Sequence, residues 1–327
     1  MKRTLLLICT LLCANVLLAQ EQLATLKHND STSIFYGASA FVQAYNAATH
    51  GDIITLSDGI FSTPSYINKG ITVRGNGAVV DTARKSTGTY FMDAFYVNNL
   101  RDSLQFSAEG IYFYRLSISN SYDIKLKRCY IDRFDPDSGV QATNCIINKG
   151  LSVGSYSDFN GSSSRNNTYI NCVLNGGSWA TLPYYAICNH CIMIGKYDND
   201  SYQYNYCVVI KKGTSNDTIL NGNVNNSVLI GFAGANHPTS SGNVVMSLSD
   251  VFENWDGESL PTDLETYVLK SSVSDSIQGL DGSEVGIFGG FMPFEWRPSY
   301  SIIKRFNVAN RTTADGKLSV DIEVISE

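Results

Sequence analysis

The sequence predicts an all-β protein, a parallel β-helix in which short strands wind into stacked coils. A four-residue pattern recurs along the middle of the chain, and Asn and Gly are abundant, at 28 and 27 of 327 residues. Only one stretch after the first 19 residues has the periodicity of a helix. The 43% hydrophobic and 17% charged residues exclude a disordered chain, and the length allows a sizeable core.

The first 19 residues have the features of a secretory signal peptide. Lys2 and Arg3 are basic, residues 5–18 are almost entirely apolar, and Ala19 precedes polar sequence. We therefore expect cleavage after Ala19 and export of the mature chain to a periplasm, to the cell surface or to the medium. We expect no membrane span, because no other stretch is apolar over the length that a span needs.

The charge balance argues against nucleic acid as a partner. The chain has 30 acidic and 24 basic residues, and its pI is near 5.3. Removal of the signal peptide, with Lys2 and Arg3, would leave 22 basic residues and a more acidic protein. Nucleic-acid binding proteins carry the opposite excess.

The repeat consists of a polar or aromatic residue, a small residue and then two apolar residues. It occupies residues 128–131, 144–147, 171–174, 190–193, 206–209 and 226–229. Two earlier segments, 70–73 and 110–113, fit with Gly70 and Gly110 in the small position. From Gly110 onward the small residues are 16 to 27 positions apart, which is too short for a helical repeat and fits one turn of a parallel β-helix.

The small position of the repeat accounts for most cysteines. Five of the six that remain after signal removal occupy it: Cys129, Cys145, Cys172, Cys191 and Cys207. An exported protein would ordinarily pair such cysteines, but stacked positions of a parallel sheet rarely offer disulfide geometry. We predict reduced thiols packed as small apolar residues, with disulfides between coils as the alternative. The same reasoning places the Cys188/Cys191 C-x-x-C pair in the core.

The two ends of the solenoid require covers, because an open last coil is an aggregating edge. Residues 20–50 are predicted to form a hairpin, turning at Asn29-Asp30, and a capping helix over 38–50. Residues 51–300 form the β-helix, with irregular coils after Phe232. Residues 301–327 form a C-terminal hairpin, since 318–324 alternate between apolar and polar residues and Asp315-Gly316 supplies the turn.

Several stretches carry a resemblance to a known family. They are the helix followed by 51–56 and 71–75, the Asn-Cys segments of the repeat, and 285–290 followed by Pro293-Phe294. In these the chain resembles the secreted bacterial right-handed parallel β-helix proteins of the pectate-lyase superfold, over nearly all of the mature chain. The resemblance implies a right-handed coil. Enzymes of this group degrade acidic polysaccharides, and many members have no assigned activity.

The enzymes' catalytic patterns cannot be carried over, so we assign no catalytic residue. The lyases of the group use Asp-bound calcium with an Arg or Lys base, and the hydrolases use paired Asp with a nearby His. The hydrolase motifs are absent here. Asp132, Asp135 and Asp137 form a cluster that could bind calcium through oxygen ligands, the alternative being a solvated corner. We expect no other cofactor.

Aromatic residues between two segments of the repeat provide the other functional lead. They lie in loop-like sequence: Trp179, Tyr184, Tyr185, Tyr197 and Tyr202. Exposed aromatic faces can stack on sugar rings, although the same residues could merely cover the side of the solenoid. We expect an exported, non-catalytic β-helix that binds glycan or serves as a surface interaction scaffold. The alternative is a polysaccharide lyase or glycoside hydrolase acting on acidic polysaccharide.

Overall fold

The protein is a parallel β-solenoid of about seven turns with few helices, as the repeat predicts. The computed structural model describes residues 22–83, 86–101, 104–136, 139–148, 167–177, 186–195, 202–212, 224–232, 242–257, 261–297, 302–312, 316 and 318–325. The strands are β1 (Leu23–His28), β2 (Ser31–Tyr36), β3 (Ile53–Leu56), β4 (Gly59–Ile60), β5 (Thr72–Arg74), β6 (Thr89–Asn98), β7 (Ser107–Glu109), β8 (Tyr112–Ser119), β9 (Ile124–Lys127), β10 (Tyr130–Asp135), β11 (Val140–Thr143), β12 (Ile146–Asn148), β13 (Asn167–Ile170), β14 (Val173–Gly177), β15 (Ala186–Asn189), β16 (Ile192–Gly195), β17 (Tyr202–Asn205), β18 (Val208–Lys211), β19 (Val224–Asn225), β20 (Val228–Ile230), β21 (Val244–Met246), β22 (Ile302–Thr312) and β23 (Leu318–Ile325). The helices are α1 (Ala40–Ala47), α2 (Leu248–Val251) and α3 (Ser271–Ser276), with a 3-10 turn at Leu264–Tyr267.

Two sheets enclose the core. Sheet 1 runs in the order β2-β1-β3-β5-β7-β9-β11-β13-β15-β17-β19, and sheet 2 in the order β4-β6-β8-β10-β12-β14-β16-β18-β20-β21. The chain therefore alternates between the sheets, and each strand pairs in parallel with the strand one coil later. The register of sheet 1 aligns Ala142, Tyr169, Cys188 and Tyr204 in one buried column, three positions before the small residues of the repeat.

Each repeat segment begins at a sharp corner between sheet 1 and sheet 2. The polar or aromatic residue at the corner has a positive φ, from 45° at Asn226 to 58° at Tyr206. Asn tolerates this left-handed conformation better than most residues, which explains why it recurs there. The six corner residues are Arg128, Asn144, Asn171, His190, Tyr206 and Asn226.

Two glycines of the predicted repeat are misaligned. Because Tyr130 pairs with Tyr112, Gly110 lies level with the corner residue Arg128 and not with the small residue Cys129. Gly110 itself has a φ of 67°. The segment after Gly70 belongs to sheet 1, not to sheet 2, since β5 pairs with β7. The sequence prediction therefore placed Gly110 one position too late in the repeat, and it assigned the segment after Gly70 to the wrong sheet.

Five of the six described cysteines form a ladder of buried, free thiols just after the corners, and Cys188 is the exception. The backbone N–H of Cys129 donates to Sγ of Cys145, and that of Cys145 to Sγ of Cys172, each at 3.4 Å. Each thiol also donates to a carbonyl two residues earlier, as Cys145 does to Thr143 at 3.3 Å. At the corners some backbone N–H and C=O groups have no partner within the sheets. A small side chain that both donates and accepts satisfies these groups.

The ladder ends with a hydroxyl in place of a thiol. The N–H of Cys207 donates to Oγ of Ser227 at 2.9 Å, and Ser227 donates in turn to the carbonyl of Asn225. Burial raises the pKa of the Cys129, Cys145, Cys172 and Cys191 thiols well above the ordinary value. These thiols stay protonated and serve as packing and hydrogen-bonding groups, as predicted.

The N-terminal hairpin and α1 cover the first coil. Strand β1 pairs with β3, so the hairpin extends sheet 1 by two antiparallel strands. The ring of Phe41 contacts Phe91 and Phe95 in the core at 4.9 and 5.9 Å between centroids. Lys69 Nζ donates to the carbonyls of Tyr45 and Ala48 at 2.7 and 2.8 Å, which caps the C-terminal end of α1. The predicted capping helix is confirmed, with shorter bounds.

Residues 248–257 and 261–297, the C-terminal cover, lie against the outer face of sheet 2 and do not continue the stack of coils. Of the two apolar residues in each repeat segment, the second faces the core and the first faces outward. The outward side chains on sheet 2 are Ile146, Val173, Ile192, Ile194, Val208, Ile210, Val228 and Ile230. They pack against Val251, Phe252, Trp255, Tyr267, Leu269, Val273, Ile277, Val285, Ile287 and Phe294 of the cover.

The last two strands form the predicted C-terminal hairpin. Strands β22 and β23 pair antiparallel, with Val308 opposite Val320 and Phe306 opposite Ile322. They make a separate two-stranded sheet. The strands match the two segments predicted from alternation and the Asp315-Gly316 turn.

Candidate functional site

A column of aromatic side chains follows the outer face of sheet 2 beyond the C-terminal cover. Tyr130, the first member, packs partly against the cover. Tyr112 and Tyr90 occupy the same column on the preceding strands, with 5.3 Å between successive ring centroids. The exposed Ile60 pairs with Tyr90 and completes the column. The apolar strip that the cover buries over later coils is thus open over the first ones.

A second aromatic pair lies further along β6, after a bulge between Phe91 and Ala94. The rings of Tyr66 and Tyr96 are 6.0 Å apart and inclined at 53°. They are 57% and 38% exposed, although their chain neighbours Ile67 and Val97 are buried and bridge two coils. Met92, also exposed, lies on β6 between Tyr90 and Tyr96. We call the outward side chains of Ile60, Tyr66, Tyr90, Met92, Tyr96 and Tyr112 the aromatic face.

Charged side chains border the aromatic face. Asp135 is in register with Ser117, which is in register with Tyr96. The Asp135 carboxylate accepts from Nε and Nη2 of Arg115 at 2.9 and 2.7 Å. Both nitrogens donate to the same oxygen, Oδ2 of Asp135, and this charge-assisted contact fixes Arg115 on the strand next to that of Tyr96.

A second cation stacks on Tyr114, two residues after Tyr112 on β8. The Arg133 guanidinium lies 5.3 Å from the ring centroid of Tyr114, a distance suited to a cation–π contact. Arg133 is in register with Arg115 on the neighbouring strand. The border of the aromatic face therefore has donors and acceptors in a fixed arrangement, with balanced charge where Arg115 meets Asp135.

The tyrosines in the column are neutral hydrogen-bonding groups. Burial raises the pKa of Tyr90, Tyr112 and Tyr130 above the ordinary value, and nearby carboxylates act in the same direction. For Tyr112 and Tyr130 that carboxylate is Asp132, and for Tyr90 it is Asp58. Each phenol thus keeps its proton near neutral pH and can donate to a ligand oxygen.

The predicted calcium cluster is only partly within the described structure. Asp132 accepts a hydrogen bond from the amide of Asn148 at 2.9 Å, and Asp135 is paired with Arg115. Asp137 lies outside the described residues. Within the described part of the chain, His, Cys, Asp and Glu form no group of three that could hold a metal ion. Calcium binding by Asp132, Asp135 and Asp137 therefore stays a prediction.

The aromatic residues predicted to bind glycan fall mostly outside the described residues. Trp179, Tyr184, Tyr185 and Tyr197 are outside the described residues. Tyr202 begins β17 and pairs with Ala186, but its side chain is not described. The flanking strands β14, β15, β16 and β17 belong to successive coils. Their role in binding stays a prediction.

Sequence reasoning missed the aromatic face, although one signal was present. Two adjacent apolar residues in a strand must face opposite sides, so Tyr112 beside Phe113 and Tyr130 beside Ile131 require one outward ring each. The inward members, Phe113 and Ile131, are fully buried. Tyr66 beside Ile67 and Tyr96 beside Val97 carry the same signal, but only the register of neighbouring coils shows that the two rings meet.

Comparison of the chain with protein-family models, curated proteins and solved structures returned no match. The described helices include none that is long and apolar enough to cross a membrane. A functional proposal therefore rests on the chemistry of the site.

Proposed function

We propose that this protein is an exported, non-catalytic β-helix that binds glycan through its aromatic face. The observation that carries the proposal is the Tyr66–Tyr96 pair, two exposed rings 6.0 Å apart on neighbouring coils. Exposed apolar side chains gathered on one face mark interaction sites. Flat rings bordered by fixed polar groups suit a sugar, which offers apolar C–H faces and hydroxyl edges.

The groups around the rings favour a neutral glycan. Arg115 and Asp135 neutralise each other, and the Arg133 guanidinium lies over the Tyr114 ring, so the border offers both donors and acceptors for vicinal hydroxyls. The chain as a whole is acidic, with a formal charge of -6. A polyanionic glycan would meet unfavourable long-range electrostatics, which weighs against an acidic polysaccharide as the ligand.

Several considerations support binding without turnover. The two described carboxylates on β10 are each engaged, Asp132 by Asn148 and Asp135 by Arg115. A catalytic acid or base needs a pKa displaced towards the working pH and access to the substrate.

The proposal that the protein is exported rests on the features of residues 1–19. The proposed relation to the pectate-lyase superfold rests on the resemblance of the sequence.

A panel of neutral and acidic glycans tests the proposal. Purified protein should bind at least one neutral oligosaccharide in isothermal titration calorimetry and release neither new reducing ends nor unsaturated products. Binding confined to acidic glycans would refute the neutral-ligand assignment. Turnover of any glycan would refute the non-catalytic one, and failure to bind across the panel would refute glycan recognition.

A further inference from the structure

Strand β2 is an open edge of sheet 1. It pairs with β1 over six residues, from Leu23 opposite Tyr36 to His28 opposite Ser31. Among the described residues, no strand pairs with its other side, where sheet 1 ends. Gly37 then turns the chain away, with a φ of 84°. Alternate backbone N–H and C=O groups of β2 are therefore directed outward along that edge.

The side chains of β2 include none of the charges or prolines that often protect such an edge. Natural edge strands are blunted by charged residues, Pro or a bulge, whereas β2 reads Ser-Thr-Ser-Ile-Phe-Tyr and pairs with β1 in unbroken register. Ile34 and Tyr36, on the outer side of the sheet, are 41% and 50% exposed. Uncharged β-branched and aromatic residues at an open edge suit strand pairing.

We infer that β2 pairs antiparallel with β2 of a second copy of this chain, so that sheet 1 continues across a two-fold axis. A second copy is the occupant that the strand itself specifies, because an isologous contact must be self-complementary. An uncharged strand satisfies that condition without like charges meeting. If the axis passes through Ile34, both Ile34 side chains lie opposite each other and Tyr36 of each copy lies opposite Thr32 of the other.

The ends of the strand agree with this register. It brings Asp30, just before β2 of one copy, to the end of the strand at which the other copy turns at Gly37 towards α1. The first turn of α1 has no acidic side chain, and Ser39 at its start makes no side-chain capping hydrogen bond. A carboxylate near a helix N-terminus is favourable, so each Asp30 would stabilise the end of α1 in the second copy.

Sedimentation equilibrium of the whole purified protein, between about 1 μM and 1 mM, tests the inference. A monomer–dimer equilibrium is expected. Ile34→Lys should weaken it by about tenfold or more, because two like charges would be directly opposed across the axis. Val80→Lys, at an exposed site far from β2 in sequence, should leave it unchanged. Far-UV circular dichroism checks that both variants fold.

A cysteine variant tests the register independently. Ile34→Cys should form a disulfide-linked dimer on mild oxidation, because opposed residues in an antiparallel pair lie within reach of a disulfide. The six described cysteines are buried, and Val80→Cys should not form the dimer. A monomer at every concentration would overturn the inference and leave the edge to a strand from another protein. A dimer that Ile34→Lys does not weaken would also overturn it.

Discussion

The side-chain nitrogen of Asn171 donates to the backbone oxygen of Ile287 at 2.8 Å, across 116 residues of chain. It also donates to the oxygen of Gly289 at 2.7 Å. Asn144 does the same to Pro293 at 3.1 Å, and Arg128 reaches Glu295 at 3.6 Å. These three corner residues therefore have two roles. Their backbones form the corners of the coils, and their side chains bind the C-terminal cover.

Replacing Asn171 should loosen the cover without disturbing the corner. Asn171→Gly keeps the left-handed backbone, with its φ of 49°, but leaves two buried carbonyls unpaired. We expect a loss of about 2–4 kcal/mol in the free energy of unfolding, measured by urea denaturation. Asn29→Gly, at an exposed turn with a φ of 51°, is the matched control and should change stability by less than about 0.5 kcal/mol. Equal effects would show that the side-chain contacts contribute nothing.

The thiol ladder predicts complete protection of the native cysteines. All six described thiols are buried and free, so a thiol reagent should label none of them in folded protein and all six after denaturation. The raised pKa of the buried thiols adds to the protection, because the thiolate is the reactive form. Mass spectrometry counts the labels. Disulfides in the denatured, unreduced protein would contradict the ladder.

The hydroxyl of Tyr169 is an expendable polar group in the core. It is fully buried and has no hydrogen-bond partner among the described residues. Tyr169→Phe should therefore cost nothing and could add up to about 1 kcal/mol to the free energy of unfolding, since an unsatisfied buried group is removed. Tyr169→Leu leaves a cavity and should cost about 2–4 kcal/mol. A clear loss in the Phe variant would reveal a partner for the hydroxyl.

Acid should weaken the attachment of the cover at His190. The ring stacks on Tyr206, with 5.0 Å between centroids, and a side chain at Gly290 would clash with it. Burial lowers the pKa of His190, although the Asp281 carboxylate and the carbonyls of Glu284 and Gly286 oppose that shift. The unfolded chain therefore binds a proton near pH 6.5 that the folded chain resists, so stability falls as the pH drops below that value.

The His190→Asn variant isolates this effect, because Asn also tolerates the positive φ of the corner. Urea denaturation of both proteins between pH 8 and pH 5 is the measurement. The wild type should lose more stability than the variant over this range. Burial raises the pKa of Glu284, so protonation of that carboxyl stabilises the folded state as the pH falls. This contribution is the same in the wild type and in the variant. Parallel profiles would show that His190 is accessible to protons in the folded state.

Much of the solenoid could be predicted because its determinants are local and periodic. A corner residue followed by Cys or Ser recurs in six successive segments from Arg128 to Ser227, so the spacing of these pairs predicts where each coil begins. Gly110 was misaligned because a glycine suits both the corner and the small position. The cover was missed for another reason: Phe252, Trp255 and Tyr267 have no periodicity, and only the outward faces of β12, β14, β16 and β18 indicate that something must cover them.

The candidate site was less accessible to sequence reasoning. Tyr66 and Tyr96 are 30 residues apart, and the register of neighbouring coils alone brings their rings to 6.0 Å. The predicted aromatic cluster around Trp179 was chosen by proximity in the chain, which says little about proximity in a solenoid. A loop residue is adjacent in space to the residue one coil later, and variable loop lengths conceal which residue that is.

The affinity of Tyr96→Ala for the glycan that the wild type binds tests the central claim most directly. Truncating an exposed ring that stacks on a sugar should weaken binding by about tenfold or more, measured by isothermal titration calorimetry. Phe291→Ala removes an almost fully exposed ring from the C-terminal cover and should leave the affinity unchanged. An unaltered affinity in Tyr96→Ala, or an equal loss in Phe291→Ala, would contradict recognition by the aromatic face.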